Sequence, residues 1–88
     1  MDSETLRLAI VTGASQAMDY KSKNPRAEIE EVLQFVMKAI KAEEKTKIAA
    51  IAAASRAMKY REKFPKEADK EIIQRVLDES NMMVQEIK

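Results

Sequence analysis

Apolar residues recur along this chain at alternating spacings of four and three, the period of an amphipathic α-helix. In residues 4–23 the stripe is Leu6, Ile10, Gly13, Ala17 and Tyr20, widened by Val11, Ala14 and Met18. Asp2 or Ser3 offers an oxygen to the free N–H groups at the helix start, Glu4 suits its positive end, and Lys21 and Lys23 suit its negative end. Asn24-Pro25 predicts a stop and a restart, with Asn24 as N-cap and Pro25 in the first turn of the next helix. That second helix is expected from about Pro25 to Ala42, on Ile29, Leu33, Val36 and Ile40, with Val32 and Met37 alongside. Helix three is expected over about 44–63, with Ile48, Ile51, Ala54 and Met58 at one edge of its stripe. Helix four is expected over about 66–87, on Ile73, Leu77, Ser80, Val84 and Ile87. Phe64-Pro65 opens it; Phe64 has no capping oxygen and is expected to staple back onto the first turn.

No Gly or Pro interrupts residues 26–64, and Lys, Ala and Glu would permit one continuous helix from about 25 to 63. A sequence repeat argues instead for a break near residues 42–46. A shift of 40 residues superposes Ala14-Ser15-Gln16-Ala17-Met18-Asp19-Tyr20 on Ala54-Ser55-Arg56-Ala57-Met58-Lys59-Tyr60. The match continues through Lys23/Lys63, Pro25/Pro65, Glu31/Glu71, Gln34/Gln74 and Val36/Val76. Twelve of the 40 aligned pairs are identical, and seven of them fall between Ala14 and Pro25, in the second half of the first helix and the turn that follows it. The expected fold is all-α: one domain, residues 1–88, a four-helix up-down bundle of two tandem helical hairpins (repeat one 1–41, repeat two 42–88).

Helices one and three share a ladder of small residues, Ala9-Gly13-Ala17 and Ala49-Ala53-Ala57. Spacing of four keeps each trio on one face, and small side chains let helix backbones approach closely. Gly13 costs roughly 1 kcal/mol against Ala in mid-helix, so a close contact is expected to offset it. Helix one is therefore expected to cross helix three at this ladder, about a pseudo-two-fold axis.

The chain is 45% hydrophobic and 35% charged with one Gly and two Pro, which excludes low-complexity classes and argues against disorder. At 88 residues its core is small, and with no Cys or His neither a disulfide nor an ordinary zinc site reinforces it. Helix packing or oligomerisation must do so. No apolar run reaches the roughly 20 residues of a membrane span, the acidic start does not read as a signal peptide, and a cytoplasmic location is expected. A net charge of +1 provides no global attraction to nucleic acid or membrane.

Little in the sequence carries reaction chemistry. Ser15 and Ser55 have no His to serve as base, and read as packing residues that bond a carbonyl one turn back. Glu28, Glu31, Glu71 and Asp78 lack the His partners of a di-iron bundle, so no metal, cofactor or catalytic residue is assigned. Met18 and Met58 read as core, as do Met82 and Met83, which would alternatively serve a dimer contact. Tyr20 and Tyr60 are expected to cover the hairpin turns with hydroxyls outward, or to form a pair of partner-facing rings. Lys21, Lys23 and Arg26 flank one proline tip; Arg56, Lys59, Arg61, Lys63 and Lys66 flank the other. In an up-down bundle both tips share one end, giving a candidate anion- or partner-binding pole, although cations at helix C-termini also serve the helix dipole. The leading expectation is a non-enzymatic protein–protein interaction or assembly module, with a protein partner or a second copy of the chain. The alternative is a nucleic-acid-associated protein that contacts phosphates through the basic pole.

Overall fold

The chain folds as four α-helices: α1 (Ser3–Lys23), α2 (Ile29–Ala39), α3 (Glu44–Lys63) and α4 (Asp69–Glu86). This computed structural model describes residues 3–86, with side chains for 4–79, and no strand occurs among them. The expected caps at Asp2 and Ser3, and the expected apolar positions Ser80, Met82, Met83, Val84 and Ile87, lie outside the described side chains.

The chain does break between α2 and α3, over residues 40–43. Ile40 still donates its N–H to the Val36 carbonyl at 3.0 Å, but its ψ of 114° has left the helix. Glu43 precedes α3 in non-helical backbone, and Glu44 sits in the first turn, where a carboxylate complements the positive end.

α2 and α4 begin later than the proline positions predict. The Ala27 N–H bonds the Asn24 carbonyl at 2.9 Å, so Asn24-Pro25-Arg26-Ala27 is a turn, with Pro25 at the position its fixed φ suits. Asn24 does not cap α2. Its N–H and its Nδ2 both bond the Tyr20 carbonyl, at 2.8 and 3.1 Å, and so close α1. The second tip repeats this: Phe64 N–H to Tyr60 O at 2.7 Å and Glu67 N–H to Phe64 O at 3.1 Å. A long cation pins each turn at the same relative position. Lys21 Nζ donates to the Ala27 carbonyl at 2.5 Å, and Arg61 donates to the Glu67 carbonyl at 2.7 Å. These bonds satisfy loop carbonyls that a helix starting at the proline would have turned into its own ladder.

Among the described residues α1 and α3 share the most extensive contact, and α2 and α4 each touch both of them and not each other. The outer helices therefore lie on opposite sides of a central pair. Residues 10–23 and 50–63 bury and expose the same positions, one for one. The largest fully buried side chains among the described residues are Val32 and Val36 of α2 and Ile72 and Val76 of α4, again at matching positions. They close over Ile10, Ala14, Ala17 and Met18 of α1 and Ala53, Ala54, Ala57 and Met58 of α3. The apolar stripes are rotated slightly from the expected centres. Ile48 faces solvent at 62% exposure, and Met37 at 48%. Small residues explain the difference on α3: Ala50, Ala53 and Ala57 take the inside, which turns Ile48 outward.

Gly13 meets the Ala50 backbone. A Cβ added there would lie 2.8 Å from the Ala50 carbonyl carbon and 2.9 Å from its Cα. Ala9, Ala17, Ala53 and Ala57 are buried as well, whereas Ala49 is only half-buried and Ala50 takes the inward place.

The two hairpins differ at three linked positions. Hairpin one has Asn24, Ala27 and Phe35, and stacks Phe35 on Tyr20 with ring centroids 4.6 Å apart. Hairpin two has Phe64, Glu67 and Arg75 there. The Arg75 guanidinium lies 4.1 Å from the Phe64 ring centre and grips Glu67 with two hydrogen bonds of 2.7 Å. Phe64 thus packs towards α4, under Arg75. Those hydrogen bonds hold the Glu67 carboxyl below its usual range. A carboxyl depressed in the folded state stabilises above its unfolded pKa, and that stabilisation is lost as pH falls through the lower folded value. The wild-type melting temperature is therefore expected to fall more steeply on acidification than that of Glu67→Gln; parallel pH profiles would contradict this.

Candidate functional site: a basic groove on α3

The residues of the two tips come together. A cleft of about 290 Å³ is lined from both hairpins by Met18, Lys21, Ser22 and Pro25 and by Met58, Arg61, Glu67 and Asp69. A second cleft of about 450 Å³ runs between α2 and α3. It has three cations, Lys21, Arg26 and Arg61, and three carboxylates, Glu28, Glu30 and Glu62. Neither cleft has a surplus of positive charge.

The eight cations of the expected pole have separate tasks. Lys21 and Arg61 hold the turns, and Arg61 also pairs with Asp69. Lys23 pairs with Asp19 at 3.2 Å on an exposed surface, a contact worth little. Arg26 and Lys66 are exposed at the tips. The remaining three line one groove. Arg56, Lys59 and Lys63 follow one another at i, i+3 and i+7 on the outer face of α3, which keeps them on one side.

This groove, about 600 Å³ and open to solvent, is walled by Arg56, Lys59, Tyr60 and Lys63, with Ala52 and Ser55 along α3 and Glu79 from α4. Glu79 accepts an ion-paired hydrogen bond from Arg56 and a second from the Tyr60 hydroxyl. Lys63 also lies 5.8 Å from the Phe64 ring centre. Three cations against one carboxylate leave the groove with a formal surplus of two positive charges. Ser55 makes no side-chain hydrogen bond among the described residues, and neither does Ser15, contrary to the expected bond to a carbonyl one turn back. Both are half-buried on helix flanks.

Each tyrosine hydroxyl is engaged within its own hairpin. The Tyr20 hydroxyl donates to Glu31 at 3.2 Å within hairpin one, and the Tyr60 hydroxyl donates to Glu79 within hairpin two. Desolvation under Phe35, reinforced by Glu31, raises the Tyr20 hydroxyl above its ordinary value. Glu79 as the keystone of the groove gave no signal in the sequence. It belongs to no matched pair, since Ala39 stands at the corresponding place.

Among the described residues no group of three or more carboxylates could hold a metal ion, and no helix is long and apolar enough to cross a membrane. No protein-family model matches the chain, and no curated protein or solved structure shows significant similarity to it.

Proposed function

We propose that the chain is a non-enzymatic protein–protein interaction or assembly module. Its scaffold is an up-down four-helix bundle of two tandem hairpins. Three features support that architecture: the matched burial of 10–23 and 50–63, the matched turn hydrogen bonds, and the shared cleft at the two tips.

The observation that carries the interaction reading is the flank of α2. Ile29, Leu33, Met37 and Ile40 follow spacings of four, four and three, so they form one apolar edge. Ile29 is 36% and Met37 48% exposed, and Leu33 and Ile40 are half-buried. At the corresponding place on α4, Asp69 replaces Ile29, so the intramolecular fold does not require this edge to be apolar throughout. A second copy of the chain fits it. In an antiparallel α2 pair, Ile29 meets Ile40 and Leu33 meets Met37, and the Glu30 of each copy stands beside the Lys41 of the other. Such two-fold contacts are self-complementary by construction. Light scattering after gel filtration is expected to show a dimer that Met37→Glu converts to a folded monomer. A wild-type monomer up to millimolar concentration would overturn the homodimer.

A second reading, association with nucleic acid, draws on the surplus charge of the α3 groove together with exposed Arg26 and Lys66. It ranks lower because Lys21, Lys23 and Arg61 are engaged within the fold and the net charge is only +1. A shift assay at low salt tests it, and absence of binding there would end it.

A further inference from the structure

We infer that the groove between α3 and α4 docks a carboxylate-bearing segment of a partner protein, and that Glu79 holds the place of the partner's carboxylate in the free chain. The inference deepens the interaction reading by naming the chemistry of a partner, and does not depend on the α2 flank.

Comparison of the two hairpins separates the charge of the groove from the needs of the fold. α1 presents Gln16, Asp19 and Lys23 where α3 presents Arg56, Lys59 and Lys63, and Ala39 stands where α4 has Glu79. Both helices bury and expose these positions alike. A cation at a helix C-terminus accounts for Lys23 and Lys63 in both copies. It does not account for Arg56 and Lys59, which lie further from the end and have no basic counterpart in α1.

The groove already shows which ligand it fits. Arg56 and the Tyr60 hydroxyl converge on one carboxylate, that of Glu79. Lys59 and Lys63 line the same groove and form no ion pair among the described residues. Seven residues of helix rise place Arg56 and Lys63 about 10.5 Å apart along the axis. That spans several acidic side chains of an extended or helical segment. Ala52 and Ser55 are small enough to leave room for a backbone beside the helix. A partner carboxylate would take over Arg56 and Tyr60 while further acids reach Lys59 and Lys63, and Glu79 would swing to solvent. Since Glu79 competes for the same donors, it lowers the apparent affinity by the fraction of time it occupies them.

Fluorescence anisotropy of a labelled peptide rich in Asp and Glu, titrated with the full chain, tests this. Saturable, salt-sensitive binding is expected, weakened by about tenfold or more in Lys59→Glu/Lys63→Glu. Glu79→Gln removes the competing charge, retains a hydrogen-bond acceptor for Tyr60, and is expected to tighten binding several-fold. Lys23→Glu, on the corresponding face of α1, is expected to leave binding unchanged. Circular dichroism confirms that each variant is folded. Absence of saturable binding by both wild type and Glu79→Gln would overturn the inference, as would binding indifferent to the lysine reversals. A single-stranded oligonucleotide that binds more tightly than the peptide, with the same variant dependence, would also overturn it, by making the groove a phosphate site. Light scattering of the same samples reports the α2 contact separately, so loss of one activity is distinguishable from loss of the other.

Discussion

Gly13→Ala is expected to lower the melting temperature, although alanine is the better helix former. In an isolated helix the change gains about 1 kcal/mol. Here the added methyl meets the Ala50 backbone, 2.8 Å from its carbonyl carbon and 2.9 Å from its Cα. Backbone atoms within a helix cannot turn aside as the end of a flexible side chain can. α1 and α3 must separate instead, which loosens the contact on which α2 and α4 both rest. Overpacking of this kind costs about 1–3 kcal/mol, and the upper part of that range applies where backbone must move. The net loss is expected at about 1–2 kcal/mol, or about 5–15 °C for a domain of this size. Gly13→Leu is expected to prevent the native pairing altogether. An unchanged or raised melting temperature for Gly13→Ala would show that the helices have slack at this crossing.

Ile72→Ala is expected to be the most costly truncation among the described core residues. Ile72 is fully buried, is the largest such side chain, and seals α4 onto the central pair. Removal of this much side chain from a closed core costs about 2–5 kcal/mol. A chain of this length has about 4–13 kcal/mol in all, so the variant is expected to be largely unfolded at moderate denaturant. Ile48→Ala provides the matched control. Ile48 is 62% exposed, so its truncation is expected to stay within about 0.5 kcal/mol. Equal losses at the two positions would mean that the described core does not stabilise the fold.

The helix count and the extents of α1 and α3 were legible in the sequence because long amphipathic periods with charged ends have few other readings. The break at residues 40–43 was legible mainly through the repeat; propensity alone permitted an unbroken helix. The starts of α2 and α4 differ from the expected ones for a physical reason. Proline suits the first helical turn and the second position of a β-turn equally, and Lys21 and Arg61 decide between them through tertiary bonds to loop carbonyls. The ladder on α1 was readable from Gly13, whose cost demands a contact. On α3 a run of alanines, Ala49 to Ala50 and Ala52 to Ala54, left the register open, and the inward place went to Ala50.

The candidate site was less legible. Eight cations near two tips suggested one pole, but sequence spacing cannot show which cations the loops consume. Lys21 and Arg61 look like neighbours of Lys23 and Lys63 and yet have different tasks. The groove emerges only when Glu79, from the far end of the chain, is seen to hold Arg56 and Tyr60.

The proposed bundle sets two like hairpins side by side with both proline tips at one end. The chain has no cysteine, so Ser22→Cys and Glu62→Cys place two spin labels at exposed, corresponding positions near the ends of α1 and α3. Pulsed dipolar spectroscopy on the doubly labelled chain, diluted with unlabelled protein, measures their separation. The proposed arrangement gives a single narrow distribution shorter than the 25 Å middle dimension of the molecule. A distribution centred near its 37 Å length, or a short distance that vanishes on dilution, would contradict it.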